Sequence, residues 1–475
     1  MLPSFVLELH NLVDGHIKAP TITDFDEAMT FSHTKDAASG TTLTPLLATD
    51  PATVDVALAT AHAVHVSKAW TALLAGPERE AIFERLAAAL EARAENIRIA
   101  EMVDVGDRTA ISGYGPMVLR NPDVLRDKSL KDEAEFVDMW SSLPNATGAI
   151  KAVPIGPVVV LAPTNAPLGS SLIQILSAIF YGCPVIVKPS PFAPHSFNVF
   201  AEAILAASLP QGLIQIVHGG AAVARRLISS PFTKGVCFTG STSVGLQIAE
   251  LCAPRLTPFV LELGGVNPFI VLPGADVALA VEGLLRTFLC VNGQYCCGAT
   301  SVLVHASLRN TFVDQFLGAA RKITIGDPRD EKNAMGALNM CISTTLHRAV
   351  AALLDAPGVT LLAPDTELPK NGFYAVPSLI EGVPDDVQVE LFGPMALLRT
   401  FQTTDEAIAL ANAAPARLKT YVFGSDADRV AEGVDCGWFD VNQSEFENVA
   451  SFDFSPLSGF GHADARFFTR RVLRN

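Results

Sequence analysis

The amino-acid sequence predicts an α/β protein built on two parallel sheets, and three observations carry that expectation. The chain has 475 residues, more than one hydrophobic core holds, so two or three domains are expected. Hydrophobic residues make up 49% and charged residues only 17%, a balance that suits large buried parallel sheets rather than disorder. From Ile155 onward, short apolar strands alternate with helix-length segments, the pattern of βαβ units.

Taken in order, residues 1–50 show no strong periodicity and read as short strands and turns. Asp50-Pro-Ala-Thr53 is a helix-start signal, and Val54 to Trp70 follows with helical spacing. Glu78 to Asp104 reads as one amphipathic helix, with Ile82, Phe83, Leu86, Leu90, Ala94 and Ile97 at three- and four-residue steps. Gly106 to Pro122 is rich in Gly and Pro, and residues 123–150 turn from charged to polar, which together read as a protruding connection. Strands are then expected at Val158–Leu161, Pro184–Val187, Leu213–Val217, Gly235–Phe238 and Pro258–Leu263. Helices are expected between them at Leu168–Tyr181, His195–Ala207, Ala221–Ile228 and Ser241–Leu251. After Gly264-Gly265 a second series begins: Pro268–Leu272, a helix over Leu279–Cys290, a strand over Ser301–His305, a helix over Leu308–Lys322, a helix over Thr403–Asn412 and a strand over Thr420–Phe423.

The bulk properties exclude several function classes. A net charge of −15 argues against nucleic acid or anionic membranes as general partners. The eight cysteines include no CxxC and no zinc-site spacing, so reduced thiols in the cytoplasm, without a metal, are expected. The N-terminus lacks a basic region followed by a long apolar run, so no signal peptide is expected. One uncharged run, Ala152 to Val187, is interrupted by Pro154, Pro157, Pro163, Pro167, Gly182 and Pro184, which suits strand, turn and helix rather than a membrane span.

Six short stretches at strand ends or turns could carry chemistry. Cys296, in Gly293-Gln-Tyr-Cys296, lies between a helix and a strand, where a thiolate nucleophile would be rigid and accessible; a free Cys is also a common core residue. Asn165, in Pro163-Thr-Asn-Ala-Pro167, could donate to an oxyanion or make an Asx turn. Lys188, in Lys188-Pro-Ser-Pro191, could bind a cofactor hydroxyl or phosphate, or sit solvated on the surface. In Phe238-Thr-Gly-Ser-Thr242, Gly240 permits a tight turn and Ser241 an N-cap, with free N–H groups suited to a pyrophosphate. Glu262, in Leu261-Glu-Leu-Gly-Gly265, is a carboxylate at the end of a buried strand, useful as a general base or tied structurally. Glu390, in Glu390-Leu-Phe-Gly-Pro394, could reach a ribose diol or stand exposed on a loop.

Together and in this order, these motifs resemble the aldehyde dehydrogenase superfamily, over residues 50 to 461. The resemblance implies an NAD(P)-dependent oxidation of an aldehyde to a carboxylic acid in an aldehyde dehydrogenase-like fold: two Rossmann-like α/β domains and a small oligomerisation element. It implies that Cys296 attacks the aldehyde to give a thiohemiacetal and then a thioester, that Asn165 and the Cys296 N–H hold the oxyanion, and that Glu262 activates water. It places Lys188 and Ser190 at the adenosine ribose, Gly240 and Ser241 at the pyrophosphate, and Glu390, Phe392 and Leu263 around the nicotinamide end. Residues 1–124 and 150–263 would form the coenzyme domain, 264–448 the catalytic domain, and 125–149 with 449–475 the bridging element of a homodimer or homotetramer. The chain departs from the family at four places. Pro191 replaces a ribose-holding Glu, so NAD or NADP could serve. Thr164 and Ala166 replace aromatic residues and should widen the substrate tunnel. Pro456-Leu-Ser-Gly459 alters the substrate mouth, and residues 107–150 align poorly. A coenzyme A-acylating enzyme, a catalytically silent homologue and a Cys protease are the rival readings; Glu262 argues against the first.

Overall fold

A computed structural model describes residues 3, 6, 8–20, 33–107, 149–443, 458–460 and 465–474. Most of the expected protruding connection and the substrate-mouth residues Pro456 and Leu457 lie outside these. The chain starts with the hairpin β1 (Asn11–Val13) and β2 (His16–Lys18), and a second small ladder, β3 (His33–Lys35) with β4 (Thr42–Pro45), follows. Helix α1 (Pro51–Ser67) begins as its sequence signal predicts: Asp50 accepts the Thr53 N–H at 2.9 Å and Pro51 fills the first turn.

The two long helices expected next are each broken. Lys68 takes the left-handed conformation, φ 57°, and separates α1 from α2 (Ala69–Leu74). Arg93, at φ −115°, separates α3 (Arg79–Glu91) from α4 (Ala94–Val105). Neither break carries a proline or glycine. Each shorter helix can then aim its own apolar stripe; α3 and α4 both pack against α6 (His195–Ala206).

The strand β5 (Ala149–Pro154) leads into the first large sheet. Its parallel centre is β6 (Val158–Leu161), β7 (Val185–Lys188), β8 (Ile214–Ile216), β9 (Gly235–Gly240) and β10 (Phe259–Leu263), linked by α5 (Pro167–Phe180), α6, α7 (Ala221–Ser229) and α8 (Thr242–Cys252). Strands β6 and β7 are buried along their whole length, which is why they read as uncharged runs. The hairpin β1–β2 extends one edge, antiparallel to β8. The chain order reverses between β6 and β9, and such a switch point opens a crevice beyond the carboxyl ends of the strands.

The second large sheet begins two residues after Gly265. It runs β13 (Thr360–Leu362), β14 (Ser378–Glu381), β15 (Met395–Phe401), β12 (Ala299–His305), β11 (Asn267–Val271), β16 (Lys419–Phe423) and β17 (Trp438–Val441), parallel except for β13. Helices α9 (Val277–Leu289), α10 (Arg309–Ala320), α11 (Met340–Leu354), α12 (Thr404–Asn412) and α13 (Ala427–Gly433) cover it. The tail divides. β18 (Gly459–Phe460) joins the free edge of the first sheet beside β10. After α14 (Ala465–Phe468), β19 (Thr469–Arg474) pairs antiparallel with β5. Among the described residues, no helix is long and apolar enough to cross a membrane.

Because Leu263 ends β10 and Asn267 starts β11, the carboxyl edge of the first sheet meets the amino edge of the second. The loop before β12 enters at that same junction, and it carries Cys296.

Candidate active site

The Cys loop is built against its own conformational preference. Val291, Asn292 and Gly293 have φ of 49°, 55° and 79°, three left-handed residues in succession. Such a conformation costs about 1–2 kcal/mol at each non-glycine position. Side-chain amides offset the cost. The Asn292 amide donates to the carbonyls of Gly106 at 2.9 Å and Ala337 at 2.8 Å, and its oxygen accepts the Gly336 N–H. The Gln294 amide donates to Val105 O at 3.0 Å, and its oxygen accepts the Asn339 N–H at 2.8 Å. Downstream, Asn267 donates to the carbonyls of Cys296 and Gly298, and the Tyr421 hydroxyl donates to Cys297 O at 2.7 Å. Every one of these amides is buried.

Glycines let the other motifs close on this loop. A Cβ on Gly293 would lie 2.3 Å from the Gly393 carbonyl carbon, so Gly293 and the Gly393-Pro394 turn share one contact. A Cβ on Gly264 would lie 2.1 Å from Glu390 Oε1, and the Gly265 N–H donates to that oxygen at 3.2 Å. The expected Cys, Glu-Leu-Gly-Gly and Glu-Leu-Phe-Gly-Pro motifs therefore meet. Asn165 reaches the same loop, donating its amide to Gln294 O at 2.9 Å. Glu390 is half-buried rather than standing free on a loop, and Phe392 beside it is likewise half-buried.

Cys296 is half-buried, whereas Cys297 is 1% exposed, so access distinguishes the two adjacent thiols. Their sulfurs share a hydrogen bond that pushes the Cys296 thiol well above its ordinary value, helped by burial and by the charges of Cys297, Glu262 and Glu390. The same bond, with the nearby Lys419 ammonium, holds Cys297 down. Burial raises the Cys237 thiol, and the Glu262 carboxylate on the neighbouring strand β10 raises it further. Burial lifts the Glu390 carboxyl to about 7, against the opposing Gly265 hydrogen bond.

Beyond the loop, Lys188 is not a solvated surface residue. It is 7% exposed, its ammonium donates to Pro189 O and Gly219 O, both at 2.9 Å, and burial pulls it down to about 8. The Ser190 and Thr164 hydroxyls bond at 2.7 Å, tying the Lys188 turn to the Asn165 turn. Gly240 ends β9, where a Cβ would strike the Phe238 ring, and Ser241 occupies the N-cap of α8. Ser241 does not cap with its side chain as the sequence suggests; its hydroxyl faces that of Ser243 at 3.2 Å. The first turn of α8 holds no acidic residue, so its N–H groups and positive dipole end fit a phosphate. Leu263, by contrast, packs against Gly245 and donates its N–H to Ser458 O. Among the described residues, no group of three His, Cys, Asp or Glu could hold a metal.

The sequence model of the aldehyde dehydrogenase family matches residues 25–472. The chain belongs to the aldehyde dehydrogenase family. A succinate-semialdehyde dehydrogenase of Paenarthrobacter nicotinovorans is 28% identical over 426 residues, 86% of this chain and 93% of its own. A 4-trimethylaminobutyraldehyde dehydrogenase of Rattus norvegicus is 32% identical over 67% of each chain. Among solved structures, the NAD-dependent aldehyde dehydrogenase of Sinorhizobium meliloti superposes with a TM-score of 0.83 at 25% identity, over 99% of this chain and 95% of that one. Aldehyde dehydrogenase C of Pseudomonas syringae, a mutant complexed with NAD+ and octanal, gives 0.82 at 25% identity, over 99% and 97%.

The supporting residues of this aldehyde dehydrogenase, Asn267, Asn292, Asn339 and Tyr421 with the Gln294 amide, form no motif in the sequence. Their signal is an uncharged amide inside an otherwise apolar segment, such as Asn292 after Phe288-Leu-Cys-Val291. A buried amide must be hydrogen-bonded.

Proposed function

We propose that this aldehyde dehydrogenase oxidises its aldehyde to a carboxylic acid with NAD or NADP, using Cys296 as nucleophile, Asn165 as oxyanion donor and Glu262 as general base. The observation that carries the reading is the Asn165–Gln294 hydrogen bond, which fixes a side-chain amide two residues from the half-buried Cys296. One hydrogen of that amide is engaged by Gln294 O; the other can meet an oxyanion. Cys296 first loses its thiol proton to solvent; the sulfur then, as thiolate, forms a bond to the aldehyde carbon, and the carbonyl electron pair moves to the oxygen. NAD or NADP, when bound, supplies the acceptor for the hydride that leaves this carbon. Cys296 is then a thioester. Glu262 takes a proton from water, the water oxygen bonds to the acyl carbon, and the carbon–sulfur bond breaks to release the acid.

For the cofactor, Ser241 and the first turn of α8 would receive the pyrophosphate, Lys188 and Ser190 the adenosine ribose, and Glu390 and Phe392 the nicotinamide end. NAD+ is bound in the Pseudomonas relative's structure. Pro191 offers neither an acceptor nor a charge, which leaves room for either dinucleotide. Residues 1–124 and 150–263 act as the coenzyme unit and 264–448 as the catalytic unit, with 125–149 and 449–475 as a homo-oligomer's bridge. The β5–β19 pairing supports that bridge.

Rapid mixing of Glu262→Gln with an aldehyde tests the reading. A burst of reduced cofactor followed by slow turnover is expected, because an amide cannot take the proton from water. NAD and NADP should give kcat/KM values within about tenfold, or about 1.4 kcal/mol. Loss of the burst would show that Glu262 acts before the thioester forms or only holds the fold.

A further inference from the structure

The amino end of the first sheet gathers basic side chains around Gly156, just before β6. This glycine has φ 125°, and a Cβ on it would lie 2.7 Å from Lys234 Cγ and 3.6 Å from His65 Cδ2. Lys234 precedes β9, and His65 lies in the last turn of α1. His62, one turn earlier, stacks on Phe232 with ring centroids 4.5 Å apart, and its buried Nδ1 has no hydrogen-bond partner among the described residues. Lys68 caps the same helix, its N–H donating to His65 O at 3.3 Å. Arg470 comes from the far end of the chain; it pairs with Val153, three residues before Gly156, in the β5–β19 ladder. Burial pulls the His65 imidazole below its ordinary value, and His62, Arg470, Lys234 and Lys68 push it the same way, so all four are within electrostatic reach of the ring.

The counter-charge is missing. Lys68, Lys234 and Arg470 are exposed, and none forms an ion pair with a carboxylate among the described residues. The chain has 49 Asp and Glu, yet residues 56–77, 149–201, 203–249 and 465–475, which build this end of the sheet, contain none of them. Asp55, on the same helix, is taken by Arg226. Cations at the end of a helix offset its dipole, which accounts for His65 and Lys68. It does not account for Lys234 and Arg470, which two other elements bring to the same place.

We infer that this cluster is a binding site for a small dianionic oxyanion, phosphate or the head of a phosphate monoester. The Lys234 ammonium uses one of its three donors on Pro231 O at 3.0 Å, which leaves two. With Lys68 and the Arg470 fork they match the oxygens of such an anion. A bound dianion would relieve the mutual repulsion and favour a protonated His65, itself a further donor. The site is separate from the cofactor crevice. Lys234 and Ser241 flank opposite ends of β9, roughly 20 Å apart at about 3.3 Å per residue.

Calorimetric titration with sodium sulfate tests this. The protein is saturated with NAD, so that the cofactor's own phosphate site is filled, and sodium chloride holds the ionic strength constant. Sulfate keeps both charges from pH 6 to pH 8. One sulfate per chain is expected, and Lys234→Ala combined with Arg470→Ala should weaken it about tenfold. Sulfate should raise the unfolding temperature of the wild type and not of the double variant. Because the free ring binds its proton weakly and the anion strengthens that binding, association takes up a proton. Affinity should therefore rise about threefold from pH 8 to pH 6, and His65→Gln should cut that rise. Inorganic phosphate and glycerol 3-phosphate, compared at pH 8, identify the source: equal affinity supports an ester head, and exclusion of the ester supports the free ion. Sulfate that binds no better than chloride, or binds the double variant as tightly as the wild type, overturns the inference.

Discussion

Two adjacent sulfurs compete at the centre of the site, and access decides between them. Cys297 holds the lower proton affinity but is walled in, its carbonyl fixed by Tyr421. Cys296 is half-buried and has a raised proton affinity, which it would have to overcome as the proposed nucleophile. Cys296→Ala should therefore abolish turnover, and Cys297→Ala should retain it within about tenfold, corresponding to about 1.4 kcal/mol. Reversed effects in a kcat measurement would place the nucleophile one residue later. Glu390 makes a second prediction. Its carboxyl titrates at about 7, so it is mostly protonated below that pH and ionised above it. Charge-assisted bonds to a ribose diol are the stronger kind. Dinucleotide affinity should rise about tenfold from pH 6 to pH 8, or about 1.4 kcal/mol. Glu390→Gln should flatten that rise in a calorimetric titration.

At the scale of elements, the loop from Cys290 to Gly298 behaves as a preformed part clamped from several sides. Gly293→Ala would place a Cβ against Gly393 and force a side chain into φ 79°. Left-handed strain alone is about 1–3 kcal/mol. Turnover should fall by about a hundredfold or more while the protein stays folded, as followed by circular dichroism with kcat; wild-type turnover would mean the two turns do not touch. The elements that were legible are those whose burial is complete. Val158–Leu161 and Val185–Lys188 announce themselves because strands covered on both faces carry no charge. The breaks at Lys68 and Arg93 were not legible, since tertiary packing imposes them on residues with ordinary helix propensity. The site divides in the same way. Cys296 and Glu390 stand in loops and Glu262 near the end of β10, each with a glycine within three residues, a local signal. The amides that hold the loop bond to backbone far away in sequence, as Asn292 does to Gly106, and no local pattern encodes such a partner.

For the molecule as a whole, the tail of the chain is fastened against the first large sheet and its covering helices. Phe468 is fully buried, stacks on Tyr181 with ring centroids 5.9 Å apart, and its carbonyl accepts the Ile155 N–H and the Cys183 thiol. Phe468→Ala should cost about 3–5 kcal/mol, read as a lower denaturant midpoint, with kcat at low temperature nearly unchanged. An unchanged midpoint would show that β19 holds β5 without its anchor.

The clamped loop also sets an order in time. A ribosome that has extruded residues up to about 300 has already made Asn165, Glu262 and Cys296. The groups that fix the loop on its far side, Asn339, Gly393 and Tyr421, are not yet synthesised. Domains fold as they emerge, amino-terminal first. The nascent chain thus carries Cys296 through more than a hundred residues of translation with its loop tied only to earlier partners such as Gly106, Asn165 and Asn267, and the full set of braces is complete only when the final third of the protein closes around it.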